Sequence, residues 1–327
     1  MYIDDLEKNG YIPVGYHTDF IDLLADNPDI FQVITYKDLK WQGDYSADSF
    51  YLAEKRAWDT AIRKGQLDDS KIYVLIQHDV DSQPQRTMSL LKYENQRGVP
   101  TNVMIFNRRV NRRHYISSGK IEYTEYPLDF DLLRKLQAQG FVIAYHMNAY
   151  EQSGYDDILA LDFFRTDVDE LNKNGFDIKF FSAHGGAPGP NNLNNRDINL
   201  SGIENGLIWV HNGKTPIFDN NYSDGGLNSL SRDPAKRDLR DFVRKWKPGK
   251  RYRVLTHPQY YHVTVKSSKR MSQASWYRDI LQAYDDGIDA KKVWENVRIE
   301  IEENFKNKNS IFNNIESFFE KLKVLMK

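Results

Sequence analysis

A parallel α/β fold is what this chain predicts, on three observations. The uninterrupted apolar run Ile72-Tyr73-Val74-Leu75-Ile76 reads as a strand covered on both faces, as strands of parallel sheets are. Short β-branched and aromatic runs alternate with helix-like segments that stop at glycine, the order expected of parallel α/β architecture. Five of the eight histidines, His78, His146, His184, His211 and His257, fall just past the end of a predicted strand. In barrels and open α/β sheets those ends are where chemistry is assembled, and in a closed barrel they converge on one mouth. A shared site at that mouth is the expectation.

The bulk numbers narrow the class. A length of 327 residues allows one or two domains, and an α/β barrel of this size can be a single unit. Lys and Arg total 45 against 46 Asp and Glu, so general attraction to nucleic acid or to a membrane is not expected. With no cysteine there are no disulfides, no thiolate chemistry and no thiolate-held zinc, so a metal would rest on His, Asp or Glu. The first residues, MYIDDLEKNG, are polar and acidic, and no apolar run reaches membrane-spanning length. A soluble, cytoplasmic protein is the expectation.

Taken in order, residues 1–70 form a flank with a strand at Phe31 to Thr35 and a helix from Ser46 to Ile62; His17 there reads as a structural histidine. The barrel is expected over 71–262. Its first strand leads into His78-Asp79-Val80-Asp81, and Pro84 opens a helix whose face Met88, Leu91 and Tyr93 runs to a stop at Gly98. Thr101 to Phe106 is the next strand. A helix over Asp129 to Gln139, stopped at Gly140, precedes a strand over Phe141 to Tyr145. A helix from Leu161 to Asn174 closes at Gly175, and strands follow at Ile178 to Ala183, Leu207 to Val210 and Tyr252 to Thr256. Residues 263–327 read as a helical extension, with Ile311, Ile315, Phe318, Phe319, Leu322 and Leu325 along one face of an amphipathic helix.

Asp79 and Asp81 are two residues apart, so in an extended chain both side chains face the same way. Two close carboxylates can split roles, one binding a cation and the other staying free as a base. The plainer alternative is that Asp81 or Ser82 caps the following helix. With His146 and one further ligand, Asp81 would make a site suited to Zn²⁺ or a similar divalent ion. Such an ion polarises a carbonyl and acidifies water, which Asp79 could deprotonate. His257, on the last strand, would protonate a leaving amine. Together these residues form a kit for metal-assisted amide hydrolysis.

The segments HDVD, YHMN, FSAHGG and LTHPQYYH, in this order and each after a strand, resemble the motifs of polysaccharide deacetylases (carbohydrate esterase family four, the nodulation-type N-deacetylases). The likeness is to the divergent branch with HDVD in place of TFDDG, and it covers roughly Ile72 to His262. It implies a distorted (β/α) barrel with about seven parallel strands, a divalent metal with Zn²⁺ foremost, and hydrolysis of an N-acyl group, N-acetyl first. The substrate would be a sugar or glycoconjugate of surface-polysaccharide metabolism. The resemblance makes Asp79 the base, Asp81 and His146 metal ligands and His257 the acid. It also matches Asn221-Tyr222-Ser223-Asp224 to a segment whose aspartate orients the acid histidine; Asn148, Asp224 and Tyr260 are expected at the substrate.

The chain departs from that pattern where a second metal histidine should follow the first by four residues: Tyr150 stands there, with Glu151 beside it. The arginine-proline motif is replaced by Ser182-Ala183-His184-Gly185, and His184 is expected to supply the missing ligand, with Glu151 or water as the alternatives. Residues 107–114, NRRVNRRH, read first as a solvated basic patch; Arg108 and Arg109 could instead grip an anionic sugar, since arginine forks match phosphate. The loop 185–195 offers asparagine amides suited to sugar hydroxyls. Two rivals stand beside the deacetylase reading. One is hydrolysis of another non-peptide amide, by deformylation or opening of a cyclic amide or imide. The other is a catalytically silent carbohydrate-binding relative, which Tyr150 favours and the joint presence of Asp79, Asp81, His146 and His257 disfavours.

Overall fold

The computed structural model describes residues 10–42, 47–185, 189–200, 203–204, 206–210, 217–225, 238–265, 274–285 and 293–305. The chain begins with β1 (Ile12–Pro13), α1 (Val14–Asp26), β2 (Phe31–Ile34) and α2 (Ala47–Arg63). It continues through β3 (Ile72–Asp79), α3 (Pro84–Gln96), β4 (Asn102–Ile105), β5 (Arg109–Val110), α4 (Arg112–Ser118) and β6 (Tyr123–Thr124). Next come α5 (Phe130–Ala138), β7 (Val142–Met147), α6 (Ala149–Gln152), α7 (Asp157–Lys173) and β8 (Phe180–Ala183). After them lie β9 (Ile203–Glu204), β10 (Leu207–Trp209), β11 (Asn220–Ser223), α8 (Leu239–Val243), β12 (Arg251–Thr256), β13 (Tyr261–His262) and α9 (Ser275–Asp285). A last helix, α10, covers 293–305.

Seven strands, in the order β11-β12-β3-β4-β7-β8-β10, pair in parallel and curl into a half-barrel flanked by helices. The fold class is α/β, as the sequence predicts. β9 adds an antiparallel strand at the β10 edge. β2 pairs with the first half of β3, Phe31 opposite Ile72 through Ile34 opposite Leu75, on the side that β4 takes over from Gln77 onward. The 1–70 flank therefore contributes a strand to the sheet.

The pleat sorts β3 residue by residue. Successive side chains point to opposite faces, and all eight residues of β3 are buried. Ile72, Val74 and Ile76 pack outward under α1 and the C-terminal helices, with Phe20, Trp246 and Val297. Tyr73 and Leu75 pack inward, with Met104, Ala144 and Phe180, beneath Phe50 and Trp58 of α2. A second outer core lies under α5 and α7, around Val103, Ile143, Leu136 and Phe164. Asp129 and Asp156 cap α5 and α7 by accepting from Leu132 N and from Ile158 and Leu159 N. Gly98, Gly140 and Gly175, the predicted helix stops, all take a positive φ, which costs glycine least.

His78 departs from expectation. It lies inside β3 rather than beyond it, and its side chain follows Ile76 to the outer face. There its Nε2 donates to Glu94 Oε1 at 2.9 Å and its Nδ1 meets Thr256 Oγ1 at 2.6 Å. His17 Nε2 reaches the same Glu94 oxygen at 3.0 Å, and Thr101 Oγ1 donates to Glu94 Oε2 at 2.9 Å. One buried carboxylate thus ties α1, α3, β3 and the start of β4 together. His78 is a structural residue, and His17 is structural as expected. His211 and the stripe from Ile311 to Leu325 lie outside the described residues. A second buried clamp joins α2 to the sheet: Arg251 forks onto Glu54 with two bonds of 2.7 Å and lies 4.7 Å over the Trp58 ring. Among the described residues, no helix is long and apolar enough to cross a membrane.

Burial alone would raise the Glu94 carboxyl, but His78 and His17 hold it at about 2, below its ordinary 4.5. A depressed carboxyl contributes stability that is present above 4.5 and lost as pH falls through 2. Glu94→Gln therefore destabilises the fold by about 3 kcal/mol at neutral pH, because buried donors lose their acceptor. Urea midpoints will show the gap to wild type narrowing as pH falls from 4.5 toward 2; a gap independent of pH would refute the assignment.

Candidate functional site

The inner face of the half-barrel has an apolar core at its base, crossed by the buried Arg251–Glu54 pair, and ionisable groups at its mouth. Leu75, Gln77 and Asp79 share that face on β3, Ala144 and His146 on β7, Phe180 and Ser182 on β8, with His184 and His257 continuing it past β8 and β12. Asp81 lies two residues beyond β3, on a turn held by Tyr126, whose hydroxyl donates to Val80 O at 2.6 Å. The turn continues through Gln83, which takes a left-handed φ of 48° before α3 begins. Helix α3 has no side-chain cap hydrogen bond, so Asp81 and Ser82 are not spent on capping it.

Three imidazoles converge on Asp81. His146 Nε2 lies 3.1 Å and His184 Nε2 3.8 Å from Oδ1, and His257 Nε2 lies 3.7 Å from Oδ2. The donor atoms of Asp81, His146 and His184 all fall within 4.8 Å of one another. Asp79 stands alongside, its Oδ2 3.8 Å from His146 Nε2. Each ring is also met from behind: His146 Nδ1 by Ser182 Oγ at 3.1 Å, and His257 Nδ1 by Asp224 Oδ1 at 2.5 Å. Behind His184 Nδ1, the Glu151 carboxylate lies at 3.5 Å. Phe106, just past β4, fills the space between β3 and β7, stacked on His146 at 4.9 Å and edge-on to His184 at 5.1 Å.

These contacts make the donor set fit a divalent cation. Asp224 is an acceptor, so His257 Nδ1 carries its proton toward Asp224, and a neutral ring would turn the Nε2 lone pair toward Asp81. Lone pairs and carboxylate oxygens crowded together repel unless a proton or a metal ion sits among them. Burial alone would raise the Asp81 carboxyl, yet the His184, His146 and His257 imidazoles hold it well below the usual carboxylate range. Burial also works against charge on His146, but Asp79 and Asp81 raise it. The same competition at His257 is won by Asp224, then Asp81 and Asp79, which push it up to about 10. Asp81, His146 and His184, one carboxylate and two imidazoles, are a donor set that could hold a metal ion.

The base and acid candidates are both positioned from below. Gln77 Nε2 donates to Asp79 Oδ1 at 2.6 Å, and Tyr36 OH donates to Gln77 Oε1 at 2.5 Å. This leaves Asp79 Oδ2 turned toward His146. Asp224 is fully buried and grips His257 twice, at Nδ1 and at the backbone N–H at 2.8 Å. Gly225 backs onto the same ring, where an added Cβ would come within 3.2 Å of His257 Cε1.

Of the expected substrate contacts, the structure separates the members. Asp224 lies behind His257, in the orienting place that the resemblance also suggested. Tyr260 flanks the His257 ring at 5.4 Å. Asn148 is buried and committed internally, donating to Arg108 O and accepting from Gln152 Nε2 at 2.8 and 2.9 Å, so it is a structural residue. Arg108 is paired with Glu170 of α7 at 2.5 Å, in a network with Asn107, Asp167 and Tyr145 behind the sheet. Arg109 has no carboxylate partner among the described residues; it touches Thr124 Oγ1 at 3.5 Å and acts electrostatically on Tyr126 beside the mouth. Asn195 of the 185–195 loop turns inward, accepting from Glu151 N at 2.9 Å, and does not present its amide to solvent. Tyr150 is buried against Tyr155 at 5.3 Å and takes no part in the cluster.

Sequence reasoning passed over Gln77, Tyr36, Ser182 and Phe106. For Gln77 and Ser182 a signal was present: each is a polar residue in a buried strand, two positions before Asp79 and His184. Comparisons with protein-family models and with curated proteins found no match.

Proposed function

We propose that this protein is a metal-dependent hydrolase that removes an N-acyl group, N-acetyl first, from a sugar or glycoconjugate. The observation that carries the reading is the convergence of His146, His184 and His257 on Asp81 with Asp79 alongside. Prospective ligands, base and acid meet in one mouth. The four motifs that resemble polysaccharide deacetylases support the sugar amide as substrate class and Zn²⁺ as the metal.

Asp81, His146 and His184 would hold the ion, and when bound it supplies Lewis acidity toward the acyl carbonyl and acidifies water. Asp79 Oδ2 takes a proton from water as the water oxygen bonds to the acyl carbon. Gln77 keeps Oδ1 occupied, so the basic oxygen is the one facing the site. The carbon–nitrogen bond then breaks while His257 Nε2 delivers its proton to the departing nitrogen. The products are a carboxylic acid and a free amine. Asp224 supports that delivery by keeping the ring charged and aimed. Tyr260, beside His257, lines the side from which a leaving sugar would depart.

Elemental analysis of the purified protein is expected to find one divalent ion per chain, lost in Asp81→Ala and His146→Ala. Incubation with acetylated amino sugars should release acetate, and His257→Ala or Asp79→Asn should cut the rate by about 10²–10⁴-fold without losing the metal. A wild-type chain that takes up no ion from excess Zn²⁺ would overturn the proposal.

The acid role has a pH signature. Because Asp224 raises His257 above its ordinary 6.5, Asp224→Asn returns it downward, and the alkaline limb of the kcat/KM profile moves to lower pH. An unmoved limb would remove His257 as the acid. The two arginines also divide: Arg109→Ala is expected to weaken an anionic sugar relative to a neutral one by roughly tenfold, as a charged hydrogen bond is lost. Arg108→Ala, already paired with Glu170, should leave that ratio unchanged.

A further inference from the structure

Buried polar atoms without a closed hydrogen bond are rare and call for an explanation, an ion being one. Three of them stand in a row beside the candidate metal site: Arg112 Nε, Glu151 Oε1 and His184 Nδ1. The gaps between them are short. Arg112 Nε lies 3.7 Å from Glu151 Oε1, and Glu151 Oε2 lies 3.5 Å from His184 Nδ1. His184 Nε2 in turn faces Asp81 Oδ1 at 3.8 Å. The row is a chain of complementary groups, each a few tenths of an ångström too long to close.

The backbone around it is fixed. Asn195 Oδ1 accepts from Glu151 N at 2.9 Å, and Asn195 Nδ2 donates to His184 O at 3.4 Å, so one side chain bridges the two members. His184 N also donates to Met147 O at 2.8 Å, holding the end of β8 against the end of β7. Glu151 is 2% exposed, which makes its charge costly without a purpose. A ligand pulled toward a cation on its Nε2 side needs its Nδ1–H received from behind, and metal-binding histidines are almost always held that way by a carboxylate, carbonyl or water.

We propose that Glu151, backed by Arg112, is a positioning residue for a metal ligand: it fixes His184 in the Nδ1–H tautomer and aims its Nε2 lone pair at the ion. Glu151 then acts through His184 and is not itself a ligand. The proposal rests on the metal-site reading above and settles which of His184 and Glu151 touches the ion. It also gives Arg112, one of four arginines in residues 107–114, a role unconnected with substrate.

Two measurements test it together. The ring ¹⁵N shifts of His184 in the metal-free protein should report the Nδ1–H tautomer in wild type and a shift toward Nε2–H in Glu151→Leu. Chelator competition with Co²⁺ should show Glu151→Gln binding about 10–100-fold more weakly than wild type, with the visible absorption band keeping its shape. Unchanged affinity in Glu151→Gln, or an unchanged tautomer in a folded Glu151→Leu, overturns the inference while leaving the metal site standing. An absorption band altered as fully as in His184→Ala overturns it in favour of Glu151 as a ligand. No Co²⁺ binding by wild type overturns the metal-site reading itself, whatever the tautomer.

Discussion

The two-residue pleat of β3 is the constraint on which the rest depends. Adjacent His78 and Asp79 cannot face the same way, so the strand sends one into the wall and the other into the mouth. His78 joins Glu94 and His17 on the outer face and locks α1 and α3 onto the sheet. Asp79, in step with Leu75 and Gln77, arrives at the inner rim. Asp81 keeps that step across the turn and lies within reach of three histidines. Register is strongly specified because both faces are buried: a slip of one residue would put a carboxylate on the apolar outer face and a valine at the mouth in place of Asp79.

The same parity explains what could be read from the sequence. Strand, helix and glycine periodicity carried the parallel α/β fold, because a strand buried on both faces has to be written in apolar residues. Strand-end histidines located the mouth, and His146, His184 and His257 do meet there. His78 misled because strand ends were located to within a residue or two, whereas facing depends on a single residue. Strand β7 likewise runs to Met147 rather than Tyr145, so His146 lies within it. The supporting residues were harder to see. Tyr36 reaches Gln77 from 41 residues away, and Asp224 reaches His257 from 33. Contacts across such separations leave no local pattern; only the fold brings them together. Asn148 and Arg108 were misplaced for the converse reason, since a polar residue near a motif carries no label for the face of the sheet it joins.

Charge balance distinguishes the two histidine–carboxylate clusters. Around Glu94 two imidazole N–H groups and a threonine hydroxyl share both carboxylate oxygens at 2.9–3.0 Å, while His17 Nδ1 has no partner among the described residues. That carboxylate is satisfied by hydrogen bonds alone, and the cluster works as a rivet. Around Asp81 the distances are longer, several carboxylates lean on three rings, and orphaned atoms remain in the second layer. Against burial, Asp224, Asp81 and Asp79 favour the charged form of His257 there. The metal ion proposed above would add positive charge without requiring that every ring carry a proton.

Tyr150, standing where the deacetylase pattern has a second histidine, does not by itself argue against a metal site. In a site whose second histidine follows the first on the same segment, two ligands depend on one loop. Here the proposed donors would come from three segments, His146 within β7 and Asp81 and His184 just past β3 and β8, so no single loop carries two of them. Space near Tyr150 is taken by Tyr155, while the next residue, Glu151, turns back toward His184. A carbohydrate-binding protein would gain nothing from an imidazole clamped by a buried aspartate, or from a carboxylate whose second oxygen is held by a buried glutamine. Both devices cost desolvation, and both aim a proton-transferring atom at one point. Both flank Asp81 and His146, an arrangement consistent with the proton removal and delivery of the hydrolysis proposed above.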